Sequence, residues 1–501
     1  MKHQVIIIGS GLGGLLTAVL LAKEGFDVAV LEQNKQIGGC LQSFSFDKKV
    51  FDSAVHYIGS LDQGEVLYRI FDYAGIQQQL RLQRMDMNGF DHIISGESPD
   101  EYALAQHLDH FTEQLIQYFP AEREAVTEYA RLLQYTCDHF PLYNLRMGDA
   151  SEKHMVSGWK LSSVLNELKA SPALQQAITG NAILYAGNHD KTPFYQHALV
   201  TKSYIDSSWR CIGGSGQISK QLWKQLMAYG GTIYRHEQVQ ELTIQEGKIE
   251  KAITNSGAAY LADHFISNIA PQQTIALLSD QSVLKPVYRN RVQQAPLTVG
   301  SIMVNIVLQP QKVAYKNHNI NWNKKNGLEA IELLREEFPV NYSIYYTEDR
   351  QHPGYAESVS ILSYINTDAF DEWQHTYNNS LSPSGRDTAY LDFKAALADK
   401  LISVVAQRYP ELKQYLQSSK VATPLSYRDY QGSLRGELYG MEKDVNMLSQ
   451  SSLTTKTRIP NLYLTGQNVN LHGVLGVSMT AISSAADFVG MEYLLQKINK
   501  A

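Results

Sequence analysis

Hydrophobic positions along this chain switch between continuous runs, strict alternation and helical spacing, and the switches mark its elements. Residues 5–8 (Val-Ile-Ile-Ile) form an unbroken apolar run, the signature of a strand covered on both faces. A glycine-rich turn follows at Gly9, Ser10, Gly11, Leu12, Gly13 and Gly14, and it opens an apolar, helix-prone stretch. Residues 28–31 make a second apolar strand that ends on Glu32, 18 residues beyond Gly14. A helix is expected near 64–74. Residues 107–182 read as largely helical, because apolar residues recur at three- and four-residue spacing, as in Leu115, Tyr118 and Phe119. A second glycine turn at 213–216 opens a helix over 217–229 that closes on Gly230 and Gly231. Strands are predicted at 232–235, 239–245 and 248–254, then at 264–268, stopped by Pro271. Alternation predicts antiparallel strands at 300–308, 341–346 and 357–365, and a long helix over 388–409 stops at Pro410. A strand and turn at 461–467 feed a terminal helix from about Gly473 into the low 490s.

The opening βαβ unit carries chemistry. Gly9 permits the tight turn, Gly11 lets a pyrophosphate approach the backbone, and Gly14 lets the helix pack close to the sheet. The helix N-terminus presents free N–H groups and the positive end of its dipole to the phosphates. Glu32 is placed to accept hydrogen bonds from ribose hydroxyls, and its charge would repel a 2′-phosphate. A dinucleotide site follows. Glycine-rich segments near both ends of the chain favour FAD over a bare nicotinamide, since a flavin needs phosphate cover at one end and a second backbone embrace near its ring. No second G-x-G-x-x-G follows a predicted strand, so a separate NAD(P) domain is not expected.

Bulk properties narrow the alternatives. The 501 residues exceed one ordinary domain, with 44% hydrophobic and 19% charged residues, ordinary for a globular enzyme. A net charge of −6 argues against a nucleic-acid partner. Cys40, Cys137 and Cys211 lie far apart without metal-ligand spacing, so neither a metal site nor a disulfide framework is expected. That usage suits the cytoplasm. Residues 5–8 are too short for a signal peptide core, and no apolar stretch approaches the roughly 20 residues of a membrane span. Peripheral contact with a membrane stays open. The expected architecture is α/β. One domain is assembled from residues 1–75, 206–275 and 446–501. A mixed substrate domain is formed by 76–205, mostly helical, and 276–445, with antiparallel strands.

Several motifs carry a family resemblance. Glu32 and Gln33 followed by Gly38 and Gly39 resemble the flavoprotein pattern in which a double glycine sits beside the cofactor. The segment Leu464-Thr465-Gly466-Gln467 resembles the distal flavin motif of the same superfamily. Together with Phe51-Asp52, His56-Tyr57-Ile58-Gly59 and Ser267-Asn268, these place the chain near the amine oxidase and phytoene desaturase-like superfamily. Within it, the chain resembles the retinol saturase and carotenoid isomerase branch. The resemblance implies a Rossmann-like, glutathione reductase-type FAD-binding domain, discontinuous in sequence. It also implies redox chemistry on carbon–carbon bonds of an apolar polyene or isoprenoid: saturation, desaturation or isomerisation. It places Val239 against the adenine, and Gly466, Gln467, Gly473 and Gly476 around the pyrophosphate and ring.

For proton handling the candidates are His56 and Tyr57, which follow an extended segment that by resemblance nears the flavin, and then His472, just before the terminal helix. Each is equally open to a packing or capping role. Cys40 reads as a small buried cysteine, and the cluster Tyr427-Arg428-Asp429-Tyr430 with Arg435, Tyr439 and Gly440 reads as a solvated loop, the alternative being part of the substrate or flavin surround. A flavin amine oxidase and a non-catalytic flavin-binding scaffold remain the alternative functions.

Overall fold

The computed structural model describes residues 1–378, 385–448 and 453–501. The first apolar run becomes the strand Lys2–Ile8, at the heart of a seven-stranded sheet. Thr232–Arg235, Val28–Glu32, Lys2–Ile8 and Ala259–Ser267 lie side by side and parallel, and Leu462–Leu464 extends the parallel set beside Ala259–Ser267. The antiparallel strands Lys248–Thr254 and Val239–Gln245 continue the sheet from the first half of Ala259–Ser267. That strand begins five residues before the expected 264–268. Its first half alternates buried and open positions while its last three residues are fully buried, so only the end carried a continuous apolar signal.

The helix Leu12–Lys23 is buried from Leu12 to Ala22, which explains its lack of a polar face. It lies between the sheet and the helices Gly216–Ala228 and Gly473–Val489. The terminal helical stretch is two helices, Gly473–Val489 and Met491–Ile498, parted at Gly490 with φ 90°.

A second seven-stranded sheet runs Leu416–Ala422, Gly300–Leu308, Ala356–Ile365, Asn341–Glu348, Asn319–Asn323, Asp91–Ser95, Glu101–Leu104. All neighbours are antiparallel except Asn319–Asn323 with Asp91–Ser95, which run parallel. The region expected to be mostly helical thus supplies two strands to this sheet, Glu101–Leu104 at its edge and Asp91–Ser95 next to it. Five helices between Leu108 and Thr179 account for the rest of the helical expectation. With Phe194–Asp206 they pack around the buried His197, whose two ring nitrogens meet Tyr129 Oη at 2.7 Å and Tyr185 Oη at 2.8 Å.

The segment at 427–430 is not a solvated loop. It belongs to the helix Pro424–Gln431, in which Tyr427, Arg428 and Asp429 are buried. Asp429 accepts from Arg428 Nε at 3.0 Å and from Arg386, and the backbone N–H of Asn378 donates to it at 3.0 Å. Its charges are paired with one another rather than with water, which sequence alone does not distinguish.

Candidate active site: a dinucleotide cleft and an aromatic chamber

A cleft of about 400 Å³ opens at the C-terminal ends of the parallel strands, where ligands bind in open α/β sheets. Gly9, Ser10, Gly11, Leu12 and Gly13 form one wall, with Glu32, Gln33, Gly38 and Gly39 beside them. Val239, Gly466, Gln467 and Gly473 complete the set expected from sequence. Two expected residues do not reach the cleft. A Cβ on Gly14 would stand 2.2 Å from the carbonyl oxygen of Gly9, so Gly14 serves the close approach of helix to strand, as its spacing predicted. Gly476 faces the Leu471 backbone, with a Cβ 2.7 Å from its carbonyl oxygen, and is a packing glycine rather than a cofactor contact.

The residues present fit a dinucleotide. The helices Leu12–Lys23 and Gly473–Val489 both begin without a side-chain cap and both start at the cleft, so two sets of first-turn N–H groups point at one space. The two loops meet tightly: a Cβ on Gly13 would lie 2.6 Å from Asn268 Oδ1 and 3.0 Å from the Gly466 backbone. Glu32 is 6% exposed and accepts from the backbone N–H of Ser10 at 3.0 Å and of Asn34 at 2.7 Å, and from the Ser10 hydroxyl. Burial raises its carboxyl above the usual range, and these hydrogen bonds pull the other way. Sequence reasoning missed Glu437, a second buried carboxylate in the wall, which the N–H groups of Leu434 and Arg435 hold at 3.0 and 2.9 Å. Cys40 lines the cleft as well. Burial pushes its thiol up to about 11 and Sγ donates to Gln431 Oε1 at 3.3 Å, so it is an unreactive cysteine.

Beyond the cleft lies an aromatic chamber. Val55 reaches the cleft, and the chain then turns inward. His56 stacks on Tyr345 with centroids 4.1 Å apart and planes 7° apart, and Tyr57 packs on Tyr204 at 4.4 Å. Tyr439 covers His472 at 4.4 Å. The three proton-handling candidates differ in what they are free to do. Tyr57 Oη donates to Asp91 Oδ2 at 2.9 Å, and burial holds the phenol well above its ordinary value. His472 donates from Nε2 to the carbonyl of Leu184 at 3.0 Å; it precedes its helix without capping it, and burial lowers its imidazole to about 4. His56 Nε2 is buried with no hydrogen-bond partner, and burial with the nearby Arg210 charge lowers its imidazole to about 3. All three are uncharged near neutral pH.

Asp91 was not visible from sequence. It is fully buried, accepts from Asn319 Nδ2 at 2.8 Å and from Tyr57, and burial raises its carboxyl. Arg210 reaches the same network through Asn319 Oδ1 at 2.9 Å. Lys443 is a further missed residue: it is buried beside His472, and burial lowers its ammonium to about 8. A small cavity of about 40 Å³ adjoins the cleft, its lining shared between apolar residues (Ile58, Leu184, Leu471) and polar ones (Ser203, Tyr204, His472). Gly473 and Val474 line both spaces.

Buried neutral imidazoles make the fold acid-sensitive. His197, like His56, is lowered to about 3 by burial. An unfolded imidazole takes up a proton below about 6.5, whereas the folded one does so only near 3. Its contribution is therefore fully present above pH ~6.5 and is lost as pH falls toward 3. Between pH 7 and 5 each such histidine costs about 2 kcal/mol of stability. The difference in urea stability between pH 7 and 5 should shrink by about that amount in His197→Gln; an unchanged difference would contradict the buried neutral imidazole.

Comparison with known proteins agrees with this geometry. Residues 7–74 match the family described as NAD(P)-binding Rossmann-like domain. All-trans-retinol 13,14-reductase of Danio rerio is 25% identical, the match covering 99% of this chain and 88% of the relative. The lycopene-forming phytoene desaturase of Pantoea ananas is 22% identical over 94% of this chain and 96% of its own. Among solved structures, an oxidoreductase from Methanosarcina mazei superposes with a TM-score of 0.63 at 16% identity, covering 96% of this chain and 99% of that one. A putrescine oxidase variant has the same fold, with a TM-score of 0.63 at 14% identity over 97% and 99% of the two chains. The Rossmann-like match agrees with a dinucleotide-type cofactor in this cleft. Among the described residues, no helix is long and apolar enough to cross a membrane. The chain is an oxidoreductase, and over nearly its whole length it is similar to retinol reductases and phytoene desaturases.

Proposed function

We propose that this chain binds FAD and exchanges hydride with a carbon–carbon double bond of an apolar polyene or isoprenoid lipid. The observation that carries the reading is the wall at Gly473 and Val474, shared by the dinucleotide cleft and the small cavity behind it, where Ile58, Leu184, Leu199 and Leu471 offer apolar contact. The retinol reductase and phytoene desaturase relatives point to the same substrate class. Residues 1–75, 206–275 and 446–501 would hold the cofactor, and 76–205 and 276–445 the substrate.

Bound FAD supplies hydride exchange at its N5 position. The N–H groups at the start of Leu12–Lys23 receive the pyrophosphate, Glu32 accepts the ribose hydroxyls, and Val239 lies against the adenine. Gly466, Gln467 and the N-terminus of Gly473–Val489 embrace the other end, where that helix's positive end favours negative charge. Stacking and hydrogen bonds fix the chamber: Tyr439 Oη and Tyr364 Oη both donate to the carbonyl of Ile183, at 2.6 and 2.7 Å. The aromatic lining excludes water from the reacting carbon. His56, held flat by Tyr345, takes or holds the substrate proton at Nε2, its unpartnered nitrogen. Tyr57 and Asp91 act as positioning residues beside it.

The test is anaerobic. Protein loaded with FAD is reduced with dithionite, then mixed with all-trans-retinol or a carotenoid. Return of the oxidised flavin bands is the expected result. A reduced flavin indifferent to every polyene, yet reoxidised by oxygen and reduced again by amines, would replace this reading with the amine oxidase. The variant His56→Ala should keep its flavin and slow reoxidation by polyene about 10²-fold. An unchanged rate would leave His56 as a stacking partner of Tyr345 alone.

A further inference from the structure

His92, Glu101 and His318 stand together on the second sheet, and none of them lines the dinucleotide cleft. Strand register brings them to one face. His92 lies opposite Ile320 in the parallel pair, and Glu101 lies opposite Ile94 in the antiparallel pair. His318 precedes Ile320 by two residues and His92 precedes Ile94 by two, so the period of the pleat turns all three side chains the same way. Their ligand atoms lie within 4.8 Å of one another. The two imidazoles stack with centroids 3.7 Å apart and planes 10° apart, and His92 Nδ1 is hydrogen-bonded to Glu101 Oε1.

Two imidazoles in face contact cannot both be cationic without strong repulsion. His318 is half-buried on the same face, so its ring nitrogens are held beside those of His92 and the Glu101 carboxylate. Glu101 is half-exposed and its carboxylate is held toward the two rings by the hydrogen bond with His92. A carboxylate with two neutral imidazoles is the donor set of zinc-like ions; calcium and magnesium prefer all-oxygen shells.

We propose that His92, Glu101 and His318 form a three-ligand site for a zinc-like divalent cation, with water completing the coordination. The ion takes the place of the hydrogen bond between His92 and Glu101. Parallel rings direct their lone pairs side by side, and coordination turns one ring about its Cβ–Cγ bond. Lys316, whose ammonium rests 5.1 Å over the Tyr409 ring, and Arg210 are the positive groups facing the cluster. Their charge limits the affinity and favours metals that bond imidazole strongly. A bound ion ties the edge strand Glu101–Leu104 to its neighbour Asp91–Ser95, which carries Asp91 on its opposite face, and through His318 to the start of Asn319–Asn323.

The experiment uses flavin-loaded protein freed of metal by a chelator, then titrated with Zn²⁺ by calorimetry and with Co²⁺ by visible absorption. One equivalent of Zn²⁺ per chain is expected, with the ligand-field bands of a four-coordinate Co²⁺ site. Glu101→Gln and His318→Asn should each weaken Zn²⁺ binding on the order of tenfold or more while leaving the flavin spectrum intact. Glu101→Gln changes one exposed atom, so its loss of binding cannot be ascribed to misfolding. Failure to take up an equivalent of Zn²⁺, or uptake unchanged in both variants, would overturn the proposal. So would Mg²⁺ binding as tightly as Zn²⁺.

Discussion

Gly11→Val protein is expected to emerge from purification without the proposed flavin. Gly11 lines the cleft at the N-terminus of the helix Leu12–Lys23, and a Cβ there would stand 2.9 Å from Asn268 Nδ2. The side chain of Asn268 can swing aside, so the fold survives. The branched valine then occupies the space into which the pyrophosphate must come to meet the first-turn N–H groups. Losing those contacts, which are charge-assisted on the phosphate side, weakens FAD binding on the order of 10³-fold, about 4 kcal/mol. Flavin absorbance per protein after gel filtration measures the loss, and circular dichroism confirms the fold. Stoichiometric flavin in the variant would refute the placement of the pyrophosphate.

Asp429→Ala is expected to lower stability by about 3–5 kcal/mol. Asp429 is fully buried between Arg386 and Arg428, whose side chains are 7% and 6% exposed. Removing the carboxylate leaves two guanidinium groups in a poorly solvated space. Arg428 keeps the carbonyl and side-chain oxygens of Gln374, at 2.6 and 3.0 Å, but these dipoles do not neutralise its charge. The exposed pair Arg131 and Glu128 makes the contrast: water already solvates both groups, and Glu128→Ala should leave the urea midpoint where it was. A small effect of Asp429→Ala would mean that water enters the network. The same helix carries Tyr430 and Gln431 to the cleft, so the variant should also shed flavin more readily.

The nucleotide half of the site was legible because its physics is local. Strands buried on both faces write continuous apolar runs, and a helix that meets a strand and a phosphate within a few residues needs glycine at fixed intervals. The chamber was not legible, for two reasons. Its members come from distant segments: Tyr57, Tyr204, Tyr345, Tyr439 and His472 converge only through tertiary structure. Its polar groups also violate the usual meaning of alternation. The strand Asn319–Asn323 reads Asn-Ile-Asn-Trp-Asn, which suggests one face in water. All three asparagines are buried, however, and bond inward: Asn319 to Asp91, Asn321 with Ser343, and Asn323 Nδ2 to the carbonyl of Gly180 at 2.8 Å. A buried acid such as Asp91 looks like any surface acid until its partners are placed. The helix Pro424–Gln431 was misjudged for the same reason, since Arg428 and Asp429 satisfy each other.

The cleft draws its two uncapped helix starts from opposite ends of the chain, at Leu12 and at Gly473. On a ribosome the second of these emerges 461 residues after the first. The first βαβ unit can form early, yet the strand Leu462–Leu464 and the helix behind it follow only after more than 400 further residues, so until then the nascent chain has half of the grip proposed for its cofactor. On that proposal, capture of the cofactor reports that the loop between the two helix starts has closed, and a chain cut short before Leu462 stays colourless.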